Sequence, residues 1–504
     1  MQYGFVIDHR KCIGCHACTV ACKSEHEVPV GSFRTWVKYT EIGAFPQIKR
    51  HFAVLRCNQC TKAPCVTICP VTALSKRADG IVDLDKDACI GCKACMQACP
   101  YDAIYLNEDT GGAEKCHFCA HRVEQNLKPA CEVVCPEEAI ISGDLHDPAS
   151  LVSRLSAELE TVVRRPEQGT GPNVRYLGMD PVSLHPGLAQ EPTTYLWSER
   201  RLPPPDLPED FPVHRSARTV LDVAHDVHWG SKVSAYLVTK GIAAGAAILA
   251  PLVAGDSTAI GGVLPEVIAL LFLLATVGLL IADLKRPKLF FRLLTRPNLK
   301  SWLVKGGFVL AAFGIVVTVG GAARLVGAEA LADVLRILAV PLGVMVAIYT
   351  AFLFAQCEGR DLWQDEGRLA TQLLAQALAL GGAVLLGAGV VGSDATSICI
   401  AAIAIGTTVH VVLGLGKLRG SHATDNSRQA AALLPRIPIV AGGELKAFAT
   451  GLWLSIVGAM IAVIVGLLGA VNVATAIVVL VLVAIGLFLY EQAYVRAAQI
   501  PPLS

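Results

Sequence analysis

The chain has 504 residues, enough for two or three domains, and a formal net charge of +1, so no global field argues for nucleic acid or an acidic substrate. Its 53% hydrophobic content is uneven: sixteen of the eighteen cysteines, most histidines and many charges precede residue 230, and runs of Ala, Val, Leu, Ile and Gly follow it. Repeated apolar stretches of about twenty residues exclude an ordinary soluble core for the second half.

Sixteen of the eighteen cysteines lie before residue 136, in four groups. The first is Cys12, Cys15, Cys18, Cys22, and the third, Cys89, Cys92, Cys95, Cys99, repeats its spacing before Pro100. The second, Cys57, Cys60, Cys65, Cys69, has one stretched interval and ends at Pro70; the fourth is Cys116, Cys119, Cys131, Cys135, before Pro136. Residues 1–30 hold neither an apolar secretory stretch nor a twin-arginine start, so an exported disulfide framework is not expected. Zinc ribbons pair C-x2-C knuckles, whereas three cysteines at two-residue intervals with a fourth before proline form the bacterial ferredoxin run. Sixteen soft thiolates suit four cubane 4Fe-4S clusters, and in ferredoxins the fourth cysteine of a run serves the other cluster.

Gly14 and Gly91 inside the runs are expected to let the loops approach a cluster closely. Short strands are expected over Tyr3–Ile7, Phe52–Leu55, Ile81–Leu84 and Ala103–Leu106, from their alternation or β-branched content. The recurring run-plus-strand unit reads as internal repetition of a ferredoxin module. A surface helix over 148–163 is expected to pack on that core, with Leu151, Leu155 and Leu159 at four-residue spacing.

These four groups, with the stretched second group and the eleven-residue gap between Cys119 and Cys131, resemble the four-cluster electron-transfer subunits of complex iron–sulfur molybdoenzymes. The dimethyl-sulfoxide, polysulfide, formate and sulfite enzymes have such subunits. The likeness covers residues 1–180, including Gly143-Asp144 and Tyr176-Leu177-Gly178. It implies an α+β ferredoxin-like domain of two pseudo-symmetric dicluster modules. It also implies one cluster on Cys12, Cys15, Cys18 and Cys135 and a second on Cys22, Cys116, Cys119 and Cys131. A third would take Cys57, Cys60, Cys65 and Cys99, and a fourth Cys69, Cys89, Cys92 and Cys95.

Residues 181–227 are expected to be a linker, with 198–215 a proline-rich, charged spacer. The domain over 228–504 is expected to be an all-α transmembrane bundle. Its eight spans fall near 232–254, 262–282, 301–321, 335–357, 369–391, 395–416, 447–468 and 472–492. Glycine and alanine, as in Gly241–Gly245, allow close helix packing in lipid. Loops on the side of the cysteine domain carry fourteen Lys and Arg residues, from Lys285 to Arg496, against Arg324 and Arg336 opposite. The positive-inside rule then puts the cysteine domain in the cytoplasm, at the inner membrane.

This half resembles the NrfD/PsrC-type anchors of polysulfide reductase and related enzymes. The match rests on His228-Trp229-Gly230, Asp283-Leu284-Lys285-Arg286-Pro287, Phe291-Arg292, Arg296-Pro297 and Tyr349-Thr350. Such anchors bind quinone (menaquinone or ubiquinone) near the cluster side and hold no haem. A bis-histidine haem needs paired intramembrane histidines, and His410 alone lies well inside a span. His228 and Tyr349 fit the ligand types of that family, the alternatives being a capping or surface histidine and an interfacial aromatic anchor, and Asp283 fits a proton relay or a structural pair with the arginines after it.

Lys240 departs from the family pattern: it either snorkels to the interface or serves quinone or proton handling. Glu266 and Glu491 are expected at the interface, and Cys357 and Cys399 as packed thiols. The chain thus reads as an electron-transfer and anchor subunit between quinone and a molybdopterin or tungstopterin catalytic partner, in contact with membrane lipid and no nucleic acid. A redox-driven proton-translocating module, and the equivalent subunit of a hydrogenase or ferredoxin:quinone oxidoreductase, are the alternatives.

Overall fold

The structure, a computed structural model, describes residues 1–44, 46–185, 188–189, 217–253, 259–389, 393–420 and 422–503. Strand β1 (Tyr3–Asp8) centres a four-stranded sheet, parallel to β10 (Val174–Leu177) and antiparallel to β8 (Ile140–Asp144); β9 (Thr161–Val162) adds an edge. Strands β2 (Thr35–Ala44) and β3 (Gln47–Arg56) form a ten-residue hairpin, and β11 (Ala217–Leu221) joins it at the β2 edge. Hairpins β4 (Leu74–Lys76) with β5 (Val82–Leu84), and β6 (Ile104–Leu106) with β7 (Ala113–Lys115), separate the second, third and fourth cysteine groups.

Short helices α1 (Ala17–His26), α2 (Pro64–Ile68), α3 (Ala94–Ala98), α4 (Ala120–Val123) and α5 (Ala130–Val133) follow or carry the cysteines. Helix α6 (Leu151–Glu158) is shorter than expected, and its packing face differs. Val152 is fully buried against Val6 and Leu177, while Leu151 and Leu159 are exposed. The sheet takes Val152, and of the leucine ladder only Leu155 meets it. Helix α7 (Pro181–Leu184) and β11 lie within the stretch expected to be a linker. Residues 217–221 are therefore a strand of the cysteine-domain sheet, because Ala217, Arg218 and Thr219 find backbone partners on Ile42, Glu41 and Thr40. The proline-rich 198–215 lies outside the described residues.

Among the described residues, eight helices are long and apolar enough to cross a membrane: α8 (Ser231–Val253), α9 (Ala259–Asp283), α11 (Trp302–Leu325), α12 (Glu329–Ala355), α13 (Glu366–Gly387), α14 (Ser393–Arg419), α16 (Ala447–Leu467) and α17 (Val473–Ala497). Two short helices, α10 (Arg292–Thr295) and α15 (Asp425–Leu433), lie in the loops. Helices α8, α9, α11 and α12 pack as one group, and α13, α14, α16 and α17 as another. The groups join where α8 crosses α13, and these two are the most enclosed helices, with 72% and 78% of their apolar windows buried against 28% for α9. Gly245 makes that crossing: a Cβ there would strike the Ala377 carbonyl and lie 2.9 Å from the Gly381 Cα.

The cysteine domain sits on one end of the bundle. Asn298 donates to the Cys69 carbonyl at 2.8 Å, Ser301 to Ile68 at 2.7 Å, and Arg164 to Leu503 at 2.7 Å. Gly91 (φ +67°) matters to this docking, since a Cβ there would strike the Gly111 carbonyl and lie 2.9 Å from the Lys285 Cβ. The position expected to clear a cluster also admits the membrane loop.

Candidate functional site

All eighteen cysteines are free thiols, and Cys15 is the exposed member among the sixteen in the four groups. The loops cross over, so each foursome combines three cysteines of one group with one from another. Burial pushes the Cys12 thiol up, with Cys135 and Cys15 beside it adding to the shift. Burial acts likewise on Cys22, next to Cys116, Cys131 and Cys119. Cys60 and Cys65 share Cys57 and Cys99 as neighbours, and Cys92 and Cys95 share Cys69 and Cys89. The structure thus brings together the four sets that the sequence resemblance implied.

Electrostatic neighbours between the sets give their order. Cys18 neighbours Cys131, Cys57 neighbours Cys116, and Cys95 neighbours Cys65. The set containing Cys12 is therefore one end of a row, and the set containing Cys92 is the end against the membrane helices.

Such buried thiols ionise only against compensating cations. Burial raises Cys18 to about 11 even though Arg56 draws it down. Arg56 ends β3 fully buried, its Nη1 donating to the Cys131 Sγ at 3.1 Å and its guanidinium over Phe5 at 4.5 Å. Its Nε and Nη2 are buried without a protein acceptor. A cavity lined by Cys22, Arg56, Cys116, Cys119 and Cys131 lies here. Backbone N–H groups of Ala139 and Ala113 point at Cys135 Sγ (3.2 Å) and Cys89 Sγ (3.4 Å). Four soft donors, unpartnered N–H groups and backbone donors aimed at sulfur are what a cubane iron–sulfur cluster requires.

At the membrane end, Trp229 donates its indole N–H to the Cys92 carbonyl at 3.3 Å. Its ring stacks on Phe354 (5.8 Å) and Trp363 (5.7 Å), which stack on each other at 4.5 Å. Cys357 is fully buried in the same cluster, with Cys92 as its neighbour. About three turns beyond Trp229, on α8, lies a polar group inside the bundle. Lys240, 1% exposed, donates to the Ala347 carbonyl (3.0 Å) and Thr350 Oγ1 (2.6 Å) and lies 4.8 Å from the Tyr349 ring centre. Tyr236 and Tyr349 are both neighbours of Thr350. Tyr236 was not singled out from the sequence; its place one turn before Lys240 was the available signal.

The other expected residues are distributed differently. Lys240 does not snorkel, because Ala347 and Thr350 already satisfy it inside the bundle. His228 sits half-buried above α8, its carbonyl accepting from Lys93 at 3.3 Å, and burial lowers its imidazole. Asp283 pairs with Lys93 at 2.8 Å rather than with the arginines after it, since Arg286 and Arg292 donate to backbone carbonyls of the cysteine domain. Glu266 is not interfacial: it is buried against Arg336 at 2.6 Å. Glu491 is not interfacial either; at 1% exposure it accepts from Gln376 at 2.6 Å. His410, fully buried on α14, meets Gln372 and Gln376 at 3.1 Å each, and Cys399 is packed on the same helix.

Comparison with known proteins follows the same two halves. Residues 48–145 match the 4Fe-4S dicluster domain, and residues 219–498, more than half of the chain, match the family described as "Polysulphide reductase, NrfD". The first half is 41% identical to a subunit of the tetrathionate reductase of Salmonella typhimurium, over 39% of this chain and 80% of that protein. It is 41% identical to a putative iron-sulfur subunit of dimethyl sulfoxide reductase from Halobacterium salinarum (35% of this chain, 79% of that protein). Identity to a subunit of the polysulfide reductase of Wolinella succinogenes is 36%, over 34% of this chain and 92% of that protein. The protein belongs to the polysulphide reductase NrfD family, as an iron–sulfur electron-transfer subunit fused to its multi-pass membrane anchor.

Proposed function

We propose that this chain passes electrons between quinone, bound beside Tyr236, Lys240 and Tyr349, and a molybdopterin or tungstopterin catalytic subunit docked near Cys15. The sixteen cysteines hold four 4Fe-4S clusters in the sets Cys12/Cys15/Cys18/Cys135, Cys22/Cys116/Cys119/Cys131, Cys57/Cys60/Cys65/Cys99 and Cys69/Cys89/Cys92/Cys95. When bound, the clusters relay single electrons. The cysteine domain lies on the cytoplasmic side, as the loop charges indicate.

One observation carries this reading: the set containing Cys92 abuts Trp229, and the helix that Trp229 precedes leads to the buried polar group at Lys240. A quinone head needs an apolar slot with donors for its carbonyls. Lys240 and the two tyrosine hydroxyls supply donors, and α8, α11 and α12 supply the apolar walls. Trp229, Phe354 and Trp363 exclude water between that slot and the cysteine domain. The catalytic partner is inferred from the relatives, which are named as subunits of tetrathionate, dimethyl sulfoxide and polysulfide reductases.

The test uses the full chain in vesicles, with reduced benzyl viologen as donor and a short-chain menaquinone analogue as acceptor. Wild type should contain about sixteen irons, four per set of four thiolates. Lys240→Met and Tyr349→Phe should slow quinone reduction while leaving iron content unchanged. Normal turnover in both would refute the quinone site, and about eight irons would refute four clusters. Metal analysis of the co-purified partner separates the readings: molybdenum or tungsten supports this one, nickel the hydrogenase.

A further inference from the structure

The second helix group holds a buried polar network that electron transfer does not use. His410 on α14 faces Gln372 and Gln376 on α13. Gln372 donates to the Tyr490 hydroxyl at 2.8 Å, and Gln376 donates to Glu491, both on α17. Lys417, nearer the end of α14, lies 3.6 Å from the Tyr494 ring centre and 5.9 Å from that of Tyr490. Every member is 6% exposed or less. Uncompensated ionisable groups this deep are expensive in a membrane, and those that persist mark ion or proton routes.

Two features distinguish the network from structural glue. His410 Nε2, Glu491 Oε2, Lys417 Nζ and Gln372 Oε1 are buried with no protein partner, so the groups that could gain or lose protons are the under-satisfied ones. The network also reaches the proposed quinone site. The charged groups acting on Glu491 are Lys417 from α14 and Lys240 from α8. Lys240 and Gln376 stand at the same level, because their neighbours Gly241 and Ala377 meet where α8 crosses α13.

All of these residues lie in the half of the bundle that faces the cysteine domain. Thr424, just past α14, hydrogen-bonds Asp361, which pairs with Arg165 of that domain at 3.2 Å. At 1.5 Å per residue, Glu491 lies about 9 Å from the end of α17, and His410 and Lys240 each lie about 14 Å from their helix ends.

We propose that Lys417, His410 and Glu491 carry protons from the aqueous phase on the cysteine-domain side to Lys240, with Gln372 and Gln376 positioning them, for use in quinone reduction. The inference rests on the quinone reading above. Each quinone takes two electrons from the clusters and two protons through this path and leaves as quinol. Each carrier is reprotonated from the side behind it, so the network ends unchanged.

The vesicle assay above tests the path. Glu491→Gln and His410→Phe should slow quinone reduction about a hundredfold, the range for loss of a proton-transfer group. Cluster reduction by viologen should stay at the wild-type rate. The slowed variants should show a larger solvent deuterium isotope effect, recover partly with azide as a diffusible acid, and recover with Glu491→Asp. Wild-type turnover and isotope effect in both Glu491→Gln and His410→Phe would overturn the path while leaving the quinone site standing. A slow step that neither azide nor Glu491→Asp relieves, with no isotope change, is a packing defect and also overturns it. No quinone reduction by wild type overturns both readings.

Discussion

Arg56 gives the sharpest quantitative test of the cluster sites. Its Nη1 is 3.1 Å from the Cys131 Sγ, so its charge lies roughly 5–6 Å from an electron spread over a cluster held there. At an effective dielectric near 20, the attraction is about 3 kcal/mol. For a one-electron couple, at 59 mV per tenfold or about 1.4 kcal/mol, this amounts to about 130 mV. Arg56→Gln keeps much of the side-chain volume and removes the charge. It should therefore lower the potential of the cluster at Cys22, Cys116, Cys119 and Cys131 by about 100 mV. The neighbouring cluster, reached through Cys18, should fall by less, and Arg56→Lys should recover most of the loss. The assay is a potentiometric titration followed by electron paramagnetic resonance, with iron content measured alongside. Unchanged potentials in an iron-replete Arg56→Gln variant would refute this electrostatic account.

Two further outcomes follow from the docking of the halves. Burial alone would lower His225, yet Asp102 and Asp222 lift it to about 10; burial alone would raise Asp102, yet His225 holds it at about 2. The imidazolium's contribution is complete below its unfolded value of 6.5 and is lost as pH rises through about 10. The carboxylate's contribution is complete above its unfolded value of 3.8 and is lost as pH falls toward about 2. The melting-temperature advantage of wild type over His225→Phe in detergent should thus peak near pH 4–6.5 and fade toward pH 10; a pH-independent difference would refute the pair. Breaking a largely buried ion pair costs about 3–5 kcal/mol. Asp283→Asn, which leaves Lys93 unpaired, should therefore speed proteolysis of the 284–300 loop and slow quinone reduction at unchanged iron content. Normal rates in both measurements would show that the Lys93–Asp283 contact does not hold the domains together.

The sequence displays what is local and conceals what depends on packing between distant segments. Cysteine spacing marks the cluster loops because the chemistry fixes those intervals, and eight apolar runs mark the helices because the hydrocarbon core fixes their length. Strand β11 was hidden because a five-residue edge strand after a proline-rich stretch has no pattern of its own; β2 creates it. Asp283 looked like a partner for the arginines beside it, but Lys93, far away in sequence, reaches it first. Glu491 misled for a similar reason. Its distance from the end of α17 suggested an interface, yet α17 continues to Ala497 and α13 covers the carboxylate with Gln376. Glutamines on an apolar helix are easily passed over, and here they link His410 to Glu491.

The position of Lys240 ties the two proposals together. Placing an electron in a low-dielectric slot costs several kcal/mol unless positive charge accompanies it. On these two proposals, electrons and protons reach Lys240 along different helices. The cysteine row ends against Trp229, just ahead of α8, while the polar network comes across from α13 and α17. A lysine that donates to Ala347 and Thr350, and whose level on α8 matches that of Gln376 on α13, can hand a proton to the slot when an electron arrives and take one back from the network. A methionine at 240 would preserve the packing and lose both functions. Lys240→Met should then slow quinone reduction more than either Glu491→Gln or Tyr349→Phe, and azide should not rescue it, because the acceptor of the delivered proton would be missing. If azide restored turnover in Lys240→Met, Lys240 would be a bystander and the network would have to end on the quinone itself.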